Sequence, residues 1–516
     1  MKLETFFEKF DQIADAPDAV AKMRELVLDL AATGRLVPRK GEWGTRQLNS
    51  LATKIGSGAT PAGGRESYFS KGIPLIRSMN VHFRGFDPTG LVFLSDEQAD
   101  ELSNVTVQAN DVLLNITGAS IGRVTIAPSE MAGARVNQHV TIIRPTPELF
   151  PRFLSMFLAS PSVQRMIDEI QVGATRQALT KGMIEQFAFP LPTLAEQKRI
   201  VAKVDELMAL CDRLEAQQQE RETRHAALAR ASLARFADAP TPANLPFLFH
   251  PSYAIPPADL RKSILTLAVQ GKLVPQDPND EPAEKLVVKL ESERRRFAVA
   301  HKFRAPVGEP LDDSSAPFAI PSSWKWCRLS SMFNAVADGD HLPPPKSETG
   351  IAFLTIGNIT TGTLDFEGSR FVPDSYYRGL ADFRRPIRGD ILYTIVGATY
   401  GRPALVESDR PFCVQRHIAI LKPPQSVDVG FLMAVLRSPL AYNQASASTT
   451  GTAQPTIPLG SLRNFAAPLP PLAEQRRIVA KVEQLMALVD ALETQLAASR
   501  ATAANLLSAL VAELTT

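Results

Sequence analysis

The fold is decided by two copies of one segment, PLPTLAEQKRIVAKVDELMALCDRLE at residues 190–215 and PLPPLAEQRRIVAKVEQLMALVDALE at residues 468–493. The copies are identical at 20 of 26 positions and lie 278 residues apart. Because solenoid repeats have periods of roughly 20–50 residues, this spacing indicates a duplicated domain rather than a repeat array. The chain of 516 residues is therefore predicted to contain two related halves.

Each copied segment predicts a long helix. Pro190 and Pro192 precede the first helix, and no proline interrupts it before Pro240. Apolar residues recur in a heptad pattern, which is typical of a coiled coil. Two arrangements remain open: the two seams pack against each other, or each helix packs on its own domain. The predicted seam residues are Ile200, Val204, Leu207, Cys211 and Leu214 in the first helix and Ile478, Val482, Leu485, Val489 and Leu492 in the second.

The duplication extends upstream of the long helices, although the match is weaker there. GDILYTIVGATYGRP (389–403) resembles NDVLLNITGASIGRV (110–124), and VQRHIAILKP (414–423) resembles VNQHVTIIRP (136–145). Since the long helices match well and these middle regions match less well, the pattern favours a shared scaffold that carries two different specificities. Neutral drift on the surfaces of the domains would produce the same pattern.

A third repeated segment precedes each mixed region. Residues 23–39 and 260–276 are identical at 8 of 17 positions. Each predicts a short helix that ends at a glycine, Gly34 or Gly271, with a proline soon after it. Each half is thus expected to run from a short helix through a mixed domain to a long helix, with the N-terminal short helix packed near the end of the chain.

Short apolar runs in the mixed regions predict strands, because Gly, Pro, Asn and Asp separate them. The predicted strands lie within 73–81, 111–116, 140–145, 351–359, 390–395 and 418–423, and helices are expected near 151–160 and 429–438. The predicted fold class is α+β, with two mixed α/β domains related by pseudo-two-fold symmetry and separated by long antiparallel coiled-coil helices. The predicted regions are 1–39 (helical), 40–190 (first mixed domain), 191–237 (long helix), 238–320 (Pro-rich linker and helical region), 321–468 (second mixed domain) and 469–516 (long helix).

The composition narrows the possible functions. The chain has 56 basic and 54 acidic residues, so its net charge of +2 lacks the strong basic excess of many free-standing nucleic-acid binders. Three scattered cysteines favour a reducing compartment over a disulfide framework. The N-terminal residues do not resemble a signal peptide, and no long apolar run predicts a membrane span. The protein is therefore expected to be cytoplasmic.

No catalytic motif is recognisable in the sequence. The chain has no P-loop pattern, no Gly-rich dinucleotide motif and no Asn-Pro-Pro-aromatic segment that would hold a flipped base. The seven histidines form no metal-binding pattern, so no metal site is expected. His139 and His417 occupy equivalent positions, but no carboxylate repeats beside them, and a structural or surface role is favoured for both.

Together these motifs resemble the specificity subunits of type I restriction–modification systems. The resemblance rests on the two copies of the PLPxLAEQ segment, on GASIGR (118–123) and GATYGR (397–402), on residues 265–286, and on the GSGATP loop (56–61). It implies a non-catalytic subunit with two target-recognition domains that read a bipartite double-stranded DNA sequence. The helices would set the gap between the two parts of that sequence and dock two modification subunits.

The same resemblance places all cofactors on the partner subunits. S-adenosylmethionine would be held by the modification subunits, which methylate adenine, while ATP and Mg²⁺ would serve the restriction subunits that translocate and cut DNA. This chain would carry no cofactor. Two alternatives remain: an autonomous DNA-modifying enzyme with a diverged motif, and a purely structural coiled-coil adaptor.

Candidate DNA contacts are chosen by side-chain type, because Arg suits guanine, Asn and Gln suit adenine, and Ser, Thr, Lys and Arg suit phosphate. The basic stretch at 291–304 is either a contact for the DNA backbone or a solvated helix face. Arg123 and Arg402 recur in the same Gly-Arg context, so a role in gripping phosphate or supporting a loop is favoured for them. The candidates are Ser57, Thr60, Arg77, Asn80, Arg123, Gln138, Arg176 and Gln177 in the first domain and His341, Asn358, Arg402, Arg416, Gln454 and Thr456 in the second.

Overall fold

The protein is described by a computed structural model that covers residues 16, 18–39, 41–60, 68–172, 178–304, 311, 316–340, 344–451 and 454–515. The chain forms two compact units. Unit 1 comprises residues 1–222 and 498–516, and unit 2 comprises residues 223–497. Each unit therefore combines one mixed domain with parts of both long helices, whereas the sequence-based boundaries treat the long helices as separate regions.

Domain one, residues 44–191, contains the strands of unit 1. These are β1 (Gly44–Gln47), β2 (Ala52–Ser57), β3 (Ile73–Ile76), β4 (Val81–His82), β5 (Gly85–Phe86), β6 (Val92–Leu94), β7 (Val112–Asn115), β8 (Val124–Ile126), β9 (Arg135–Val136), β10 (Val140–Pro145) and β11 (Ala188–Leu191). The main sheet is antiparallel and has the order β2-β10-β7-β8, and a second sheet has the order β6-β3-β9. Two small pairs, β1-β11 and β4-β5, complete the domain.

Domain two, residues 325–469, repeats this topology in unit 2. Its strands are β12 (Lys325–Arg328), β13 (Ala335–Asp338), β14 (Ile351–Leu354), β15 (Arg370–Val372), β16 (Ile391–Thr394), β17 (Pro403–Leu405), β18 (Phe412–Val414), β19 (Ile418–Lys422) and β20 (Ala466–Leu469). The sheets have the orders β13-β19-β16-β17 and β15-β14-β18, and β12 pairs with β20. In the described parts of the chain, only the β4-β5 hairpin lacks a counterpart in domain two. The mixed domains are thus a structural duplication.

The central strands are continuously apolar because both faces of the main sheet are buried. In β7, Leu113 packs into one core cluster, whereas its neighbours Val112 and Leu114 pack into another on the opposite face. β16 divides in the same way, with Leu392 on one face and Ile391 on the other. These strands therefore lack the alternation of polar and apolar residues that a half-buried strand shows. The sequence predicts them by their short apolar runs instead.

The predicted strands are confirmed, although two are shorter than expected. The runs at 73–81 and 351–359 each form a strand of four residues that is followed by a 3₁₀ turn. Each turn is closed by an asparagine, Asn80 or Asn358, whose side-chain oxygen accepts a backbone N–H three residues earlier. Local side-chain hydrogen bonding therefore ends the strand before the apolar run does.

The helices agree with the predicted pattern, and α6 and α13 are the two long ones. The described helices are α1 (Ala19–Ala32), α2 (Asp96–Glu101), α3 (Pro151–Ala159), α4 (Pro161–Val172), α5 (Lys181–Glu185), α6 (Leu194–Asp238), α7 (Pro257–Val269), α8 (Ala283–Ala300), α9 (Asp374–Gly379), α10 (Val429–Arg437), α11 (Pro439–Ser448), α12 (Leu459–Arg463) and α13 (Leu472–Thr515). α6 has 45 residues and α13 has 44, so each is about 65 Å long at 1.5 Å per residue. The helices predicted near 151–160 and 429–438 are α3 and α10.

The short helices α1 and α7 end as the sequence predicts. Gly34 and Gly271 follow them with φ of +72° and +70°, a conformation that disfavours any residue with a Cβ atom. Space is also lacking, since a Cβ at Gly271 would lie 2.5 Å from Pro321 and 3.1 Å from Trp324. These glycines therefore end the helix and let the start of the mixed domain pack closely against it.

An arginine on each short helix binds the same pair of acidic residues on a long helix. In unit 1, Arg24 donates to Asp212 at 2.6 Å and to Glu215 at 2.7 Å. In unit 2, Arg261 donates to Asp490 and Glu493, both at 2.6 Å. The position of each short helix on its long helix is thus set by the same contact in both halves.

The predicted seam is divided between different partners. Ile200, Val204 and Leu207 belong to a core cluster whose described members all lie between Val27 and Met208, so these residues pack on their own domain and on α1. Cys211 instead packs among residues of α1 and α13, such as Leu507. Of the two arrangements left open by the sequence, packing of the helix on its own domain therefore holds for the first turns of α6, because domain one covers that stripe.

The long helices meet each other away from those first turns. In unit 1, Cys211 of α6 shares a cluster with Ala503, Leu507 and Leu510 of α13, and α1 completes this cluster, as expected for the N-terminal short helix. In unit 2, the seam residues Ile478, Leu485 and Val489 are buried in the core that also holds Ala229 and Phe236 of α6, while Val482 and Leu492 lie at its border.

The Pro-rich segment after α6 is packed and is not a free linker. Leu248 and Ile255 are buried in the core of unit 2. The Tyr253 hydroxyl lies 2.5 Å from the Ser232 hydroxyl on α6 and donates to the carbonyl of Phe247 at 2.8 Å. The prolines in this segment led to the prediction of a linker at 238–260. That prediction is wrong, because the apolar residues between the prolines anchor the segment in the core of unit 2.

Candidate nucleic-acid interface

The loops of domain one converge at one edge of its main sheet. Neighbouring strands there are antiparallel, so β2 and β7 end at the edge where β10 and β8 begin. β3 ends there as well, because the backbone N–H of Asn137 donates to the carbonyl of Ile76 at 3.1 Å. Residues 57–60, 117–120 and 137–139 at this edge are named the loop edge of domain one.

Four predicted contact residues come together at or beside this loop edge. Ser57, Thr60 and Gln138 are exposed, and Arg123 is half-buried at the start of β8. The Thr60 hydroxyl donates to Oε1 of Gln138 and thereby joins two of the loops. Arg123 lines a cleft of about 420 Å³ together with residues 117–120. The spacing of these residues in the sequence gave no indication of this convergence, which comes from the strand order.

Two other predicted contact residues of domain one, Arg77 and Asn80, have structural roles. Asn80 is fully buried, and its amide nitrogen donates to the carbonyls of Asp87 at 2.9 Å and Thr89 at 3.2 Å. A base contact by Asn80 would require these bonds to break, so the prediction that it reads DNA is wrong. Arg77 is half-buried, and it donates to the carbonyl of Gly90 at 2.6 Å. Both side chains support the turn after β3.

Asn358 of domain two closes the equivalent turn. Its Oδ1 accepts from the backbone N–H of Thr355 at 2.8 Å and from the Thr355 hydroxyl at 2.9 Å. Its Nδ2 is 3.5 Å from the carbonyl of Glu367. The Oδ1 of Asn358 therefore has a local role, whereas its Nδ2 is exposed, so the base contact of Asn358 stays a prediction.

Domain two presents an equivalent loop edge, made of residues 396–399, 415–417 and 454–456. Arg416 and Gln454 are exposed there. Thr456 exchanges backbone hydrogen bonds of 2.9 Å with Thr450, which holds the third loop in place. Arg402 is exposed beside this edge and donates to the carbonyl of Thr360 at 2.9 Å. Arg402 thus supports a neighbouring loop, as its repeated Gly-Arg context suggested.

Three other candidates, Arg176, Gln177 and His341, lie outside the described residues. Ala178, which follows Arg176 and Gln177 in the sequence, is described. Thr117 forms a β-bridge with Ala178, and Val396 forms the equivalent bridge with Thr456. Ala178 itself therefore lies at the loop edge of domain one.

A cleft of about 370 Å³ opens beside the loop edge of domain two. Its lining includes the basic side chains of Lys346, Arg370 and Arg416, together with the acidic Asp340. Positive groups are therefore concentrated locally here although the whole chain is nearly neutral. A local excess of this kind is what contact with a phosphate backbone requires.

Sequence reasoning gave a structural role to two histidines that the structure places at the loop edges. Nδ1 of His139 is 2.5 Å from the Thr117 hydroxyl, and Nε2 of His139 is 3.3 Å from Nε2 of Gln138. In domain two, Nε of Arg416 donates to Nε2 of His417 at 3.4 Å. The equivalent positions of these histidines in the two copies were the signal that could have identified them.

The basic stretch 291–304 lies mostly on α8. Arg295 pairs with Glu291 one helical turn away, and Glu293 accepts from the backbone N–H of Gln425 at 2.8 Å and from the Ser426 hydroxyl. These contacts tie α8 to domain two and balance part of its charge. They favour a solvated helix face over a DNA contact for this stretch.

No group of three His, Cys, Asp or Glu side chains within the described ranges could hold a metal ion. No helix among the described residues is both long and apolar enough to cross a membrane. Most of the described residues that were predicted to contact DNA lie at or beside the polar loop edges, which are the candidate site.

The structural class is a duplicated α+β protein in which each domain has a polar loop edge and is followed by a helix of more than 40 residues. The sequence matches the family described as type I restriction modification DNA specificity domain over residues 40–222 and 321–499. These two matches correspond to the two halves of the duplication. The chain belongs to this family of type I restriction–modification specificity subunits.

Two Escherichia coli proteins are similar to this chain. The specificity subunit of the type I restriction enzyme EcoAI is 27% identical over 391 residues, and that of EcoEI is 28% identical over 392 residues. These matches cover 72% and 70% of this chain but 65% and 64% of the two relatives. The chain thus spans just under two thirds of the length of these relatives.

A solved structure supports the fold. A chain from a study of the complex assembly and conformational transition of the type I R-M system is similar over 93% of this chain and 99% of its own length, with a TM-score of 0.51. The sequence identity is 18%, so the similarity concerns the fold alone.

Proposed function

We propose that this chain is the DNA-reading subunit of a type I restriction–modification assembly and that its two domains read the two parts of a bipartite DNA sequence. One observation carries the proposal: the same loop edge occurs in both domains, but Gln138 in one is replaced by Arg416 in the other. Gln suits adenine and Arg suits guanine. A shared scaffold with different base-reading side chains is what recognition of two different half-sites requires.

The chain itself would catalyse no reaction. The modification subunits would hold S-adenosylmethionine and methylate adenine, and the restriction subunits would use ATP and Mg²⁺ to translocate and cut DNA. Two modification subunits would dock on the long helices α6 and α13. Both helices carry exposed polar residues along their length, which supports such a role, because an exposed helix face is available for contact with a partner protein.

The long helices would also set the gap between the two half-sites. Dimeric DNA readers place their reading elements about one DNA turn, ~34 Å, apart. Each long helix is long enough to span that distance, and one helical turn changes its length by ~5.4 Å. Insertion of one turn in both helices should therefore change the preferred gap without changing either half-site.

The near-neutral charge bears on how tightly the lone chain binds. Phosphate contacts dominate DNA affinity, and each contact depends on a local positive charge. With a net charge of +2, the isolated chain is expected to bind DNA weakly and to bind tightly only with modification subunits present. Nanomolar, sequence-specific binding by the lone chain at physiological salt would contradict this expectation.

A footprinting experiment tests the function. The full chain is mixed with type I modification subunits, DNA and S-adenosylmethionine, and protection and methylation are mapped together. Two protected blocks separated by a fixed gap are expected. Methylation or cleavage by the chain alone would show an autonomous enzyme, and the absence of any footprint with the partners present would leave an adaptor role.

A further inference from the structure

The two base-reading side chains have the same neighbour. Gln138 and Arg416 each precede a histidine, and that histidine lies in the turn directly before β10 or β19, where its backbone carbonyl is hydrogen-bonded. The carbonyl of His139 accepts from the backbone N–H of Ile116 at 3.0 Å, and the carbonyl of His417 accepts from Ile395 at 3.0 Å. The reading side chain therefore emerges beside an imidazole ring whose main chain cannot easily shift.

The ring contact is also the same in both domains. A side-chain N–H group of the preceding residue faces Nε2 of the histidine, at 3.3 Å from Gln138 and at 3.4 Å from Arg416. For Nε2 to accept, the ring must be neutral with its proton on Nδ1. Different readers thus make one repeated contact, and this contact needs one particular protonation state.

The groups that surround the histidine ring differ between the two domains. In domain one, Nδ1 of His139 lies 2.5 Å from the Thr117 hydroxyl, which can accept the Nδ1 proton. In domain two, Val396 replaces this threonine, so the hydroxyl is missing. Burial, together with the positive charge of Arg416, lowers the pKa of His417, and this keeps the ring neutral there.

We propose that His139 and His417 are positioning residues for base reading, which orient Gln138 and Arg416 by accepting a hydrogen bond at Nε2. This inference rests on the proposed function. With one N–H used by His139 and one lone pair of Oε1 used by Thr60, Gln138 keeps a donor and an acceptor, the pair that adenine N7 and N6 require. With Nε used by His417, Arg416 keeps both terminal nitrogens for guanine O6 and N7.

The test compares three substitutions of His417 in the assembled complex with modification subunits. His417→Gln can place an amide oxygen near the position of Nε2, whereas His417→Asn is one carbon shorter and cannot reach Arg416. His417→Leu retains bulk without any acceptor. Equilibrium competition measures binding to the selected DNA site and to sites in which each base pair is changed in turn.

Wild-type protein is expected to discriminate the guanine read by Arg416 by about 10- to 100-fold. His417→Leu and His417→Asn should lower this to about threefold or less at that one base pair, while affinity for nonspecific DNA stays within about twofold. His417→Gln should keep most of the discrimination. In an Arg416→Ala background, His417→Leu should have no further effect on discrimination. If His417 acts only by orienting Arg416, its substitution has no effect once the Arg416 side chain is removed.

The same substitutions of His139, with Gln138→Ala as background, form an independent test at an adenine in the other half-site. Thermal unfolding of each variant separates a folding defect from a reading defect, and His417→Gln remains available if His417→Leu unfolds. Equal loss of affinity for all DNA sequences by folded Leu and Asn variants would overturn the inference, since that result indicates a purely structural role. Unchanged discrimination would also overturn it. If wild-type protein shows no discrimination at any base pair, it is the proposed function that fails.

Discussion

The helical contacts of the two halves are nearly identical, whereas the loop edges are not. Arg24 in unit 1 and Arg261 in unit 2 each bind an aspartate and a glutamate at corresponding positions of a long helix. At the loop edges, the equivalent positions hold Gln138 and Arg416, and Thr117 is matched by Val396. Packing restricts the residue types at buried and interhelical positions, whereas the residue types at the exposed loop edges can differ between the two domains. Binding specificity is therefore expected at the loop edges.

The largest expected effect concerns a buried ion pair that supports each main sheet. In domain two, Lys422 and Asp390 are both buried and lie 2.5 Å apart. Lys422→Met would leave a buried carboxylate without its partner, which costs about 3–5 kcal/mol of unfolding free energy. In domain one, the side chain of the equivalent Arg144 is 24% exposed, so its pair with the buried Asp111 lies closer to solvent and Arg144→Met should cost less. Urea denaturation of the two variants measures the difference, and an equal cost would contradict the explanation from burial.

The same variant has a predictable pH dependence. Burial raises the pKa of Asp390 in spite of the attraction of Lys422. A raised pKa means that the folded state takes up a proton before the unfolded state does as the pH falls. The defect of Lys422→Met should therefore shrink as the pH is lowered from neutral towards the usual range of an aspartate. A defect that grows over this range would show that the carboxylate is not the cause.

The next effect concerns Gly58, at the loop edge of domain one, and its equivalent Gly339 in domain two. A Cβ at Gly58 would lie 1.7 Å from the carbonyl oxygen of Val136, and a Cβ at Gly339 would lie 2.1 Å from that of Val414. Alanine at either position should cost about 1–3 kcal/mol and displace the loop, because a backbone carbonyl cannot move aside as a side chain can. Thermal unfolding and DNA binding measure the two consequences.

Gly56 provides a matched control for this prediction. It lies on β2, two residues before Gly58, and a Cβ there would meet nothing within 4 Å. Gly56→Ala should therefore leave both stability and DNA binding nearly unchanged. If Gly56→Ala and Gly58→Ala behave alike, close approach of the backbone is not the reason for the glycine.

The smallest expected effect tests the equivalence of the helical contacts. Arg24→Ala and Arg261→Ala should each cost about 1 kcal/mol or less, since the acidic partners are largely exposed and screened by solvent. Calorimetry should show the same loss for both variants within error. A loss several times larger in one unit would mean that the two helical contacts do not have the same role.

The Arg24 contact also predicts a pH effect. Its hydrogen bond holds the pKa of Glu215 below the usual range. A lowered pKa contributes stability above the unfolded pKa, and this contribution is lost as the pH falls through the folded one. Arg24→Ala should therefore remove a small part of the acid dependence of unfolding. An unchanged pH profile would show that the pair is too exposed to matter.

The sequence predicted those parts of the fold that local patterns determine. The long helices followed from the copied heptads, the helix ends from Gly34 and Gly271, and the strands from short apolar runs. The partner of each helix face did not follow, because Ile200 fits a coiled-coil seam and a domain core equally well. The packing of 238–260 was also missed, since prolines suggested a linker while Leu248 and Ile255 anchor it.

The candidate site was predicted only in part, for a similar reason. Side-chain type selected Gln138 and Arg416, which the structure places at the loop edges. It also selected Asn80, whose amide closes a turn, because residue type does not show which groups already have partners. The convergence of distant loops depends on strand order, and no single segment of the sequence contains that information.

The most direct measurement is selection of bound sites from random DNA by the complete chain with modification subunits, for the wild type and for Arg416→Ala and Gln138→Ala. Two specified blocks with a fixed gap are expected for the wild type. Each variant should lose preference at one base pair, in a different block for each. A single continuous block, or loss of preference in both blocks from one substitution, would contradict two separate reading domains.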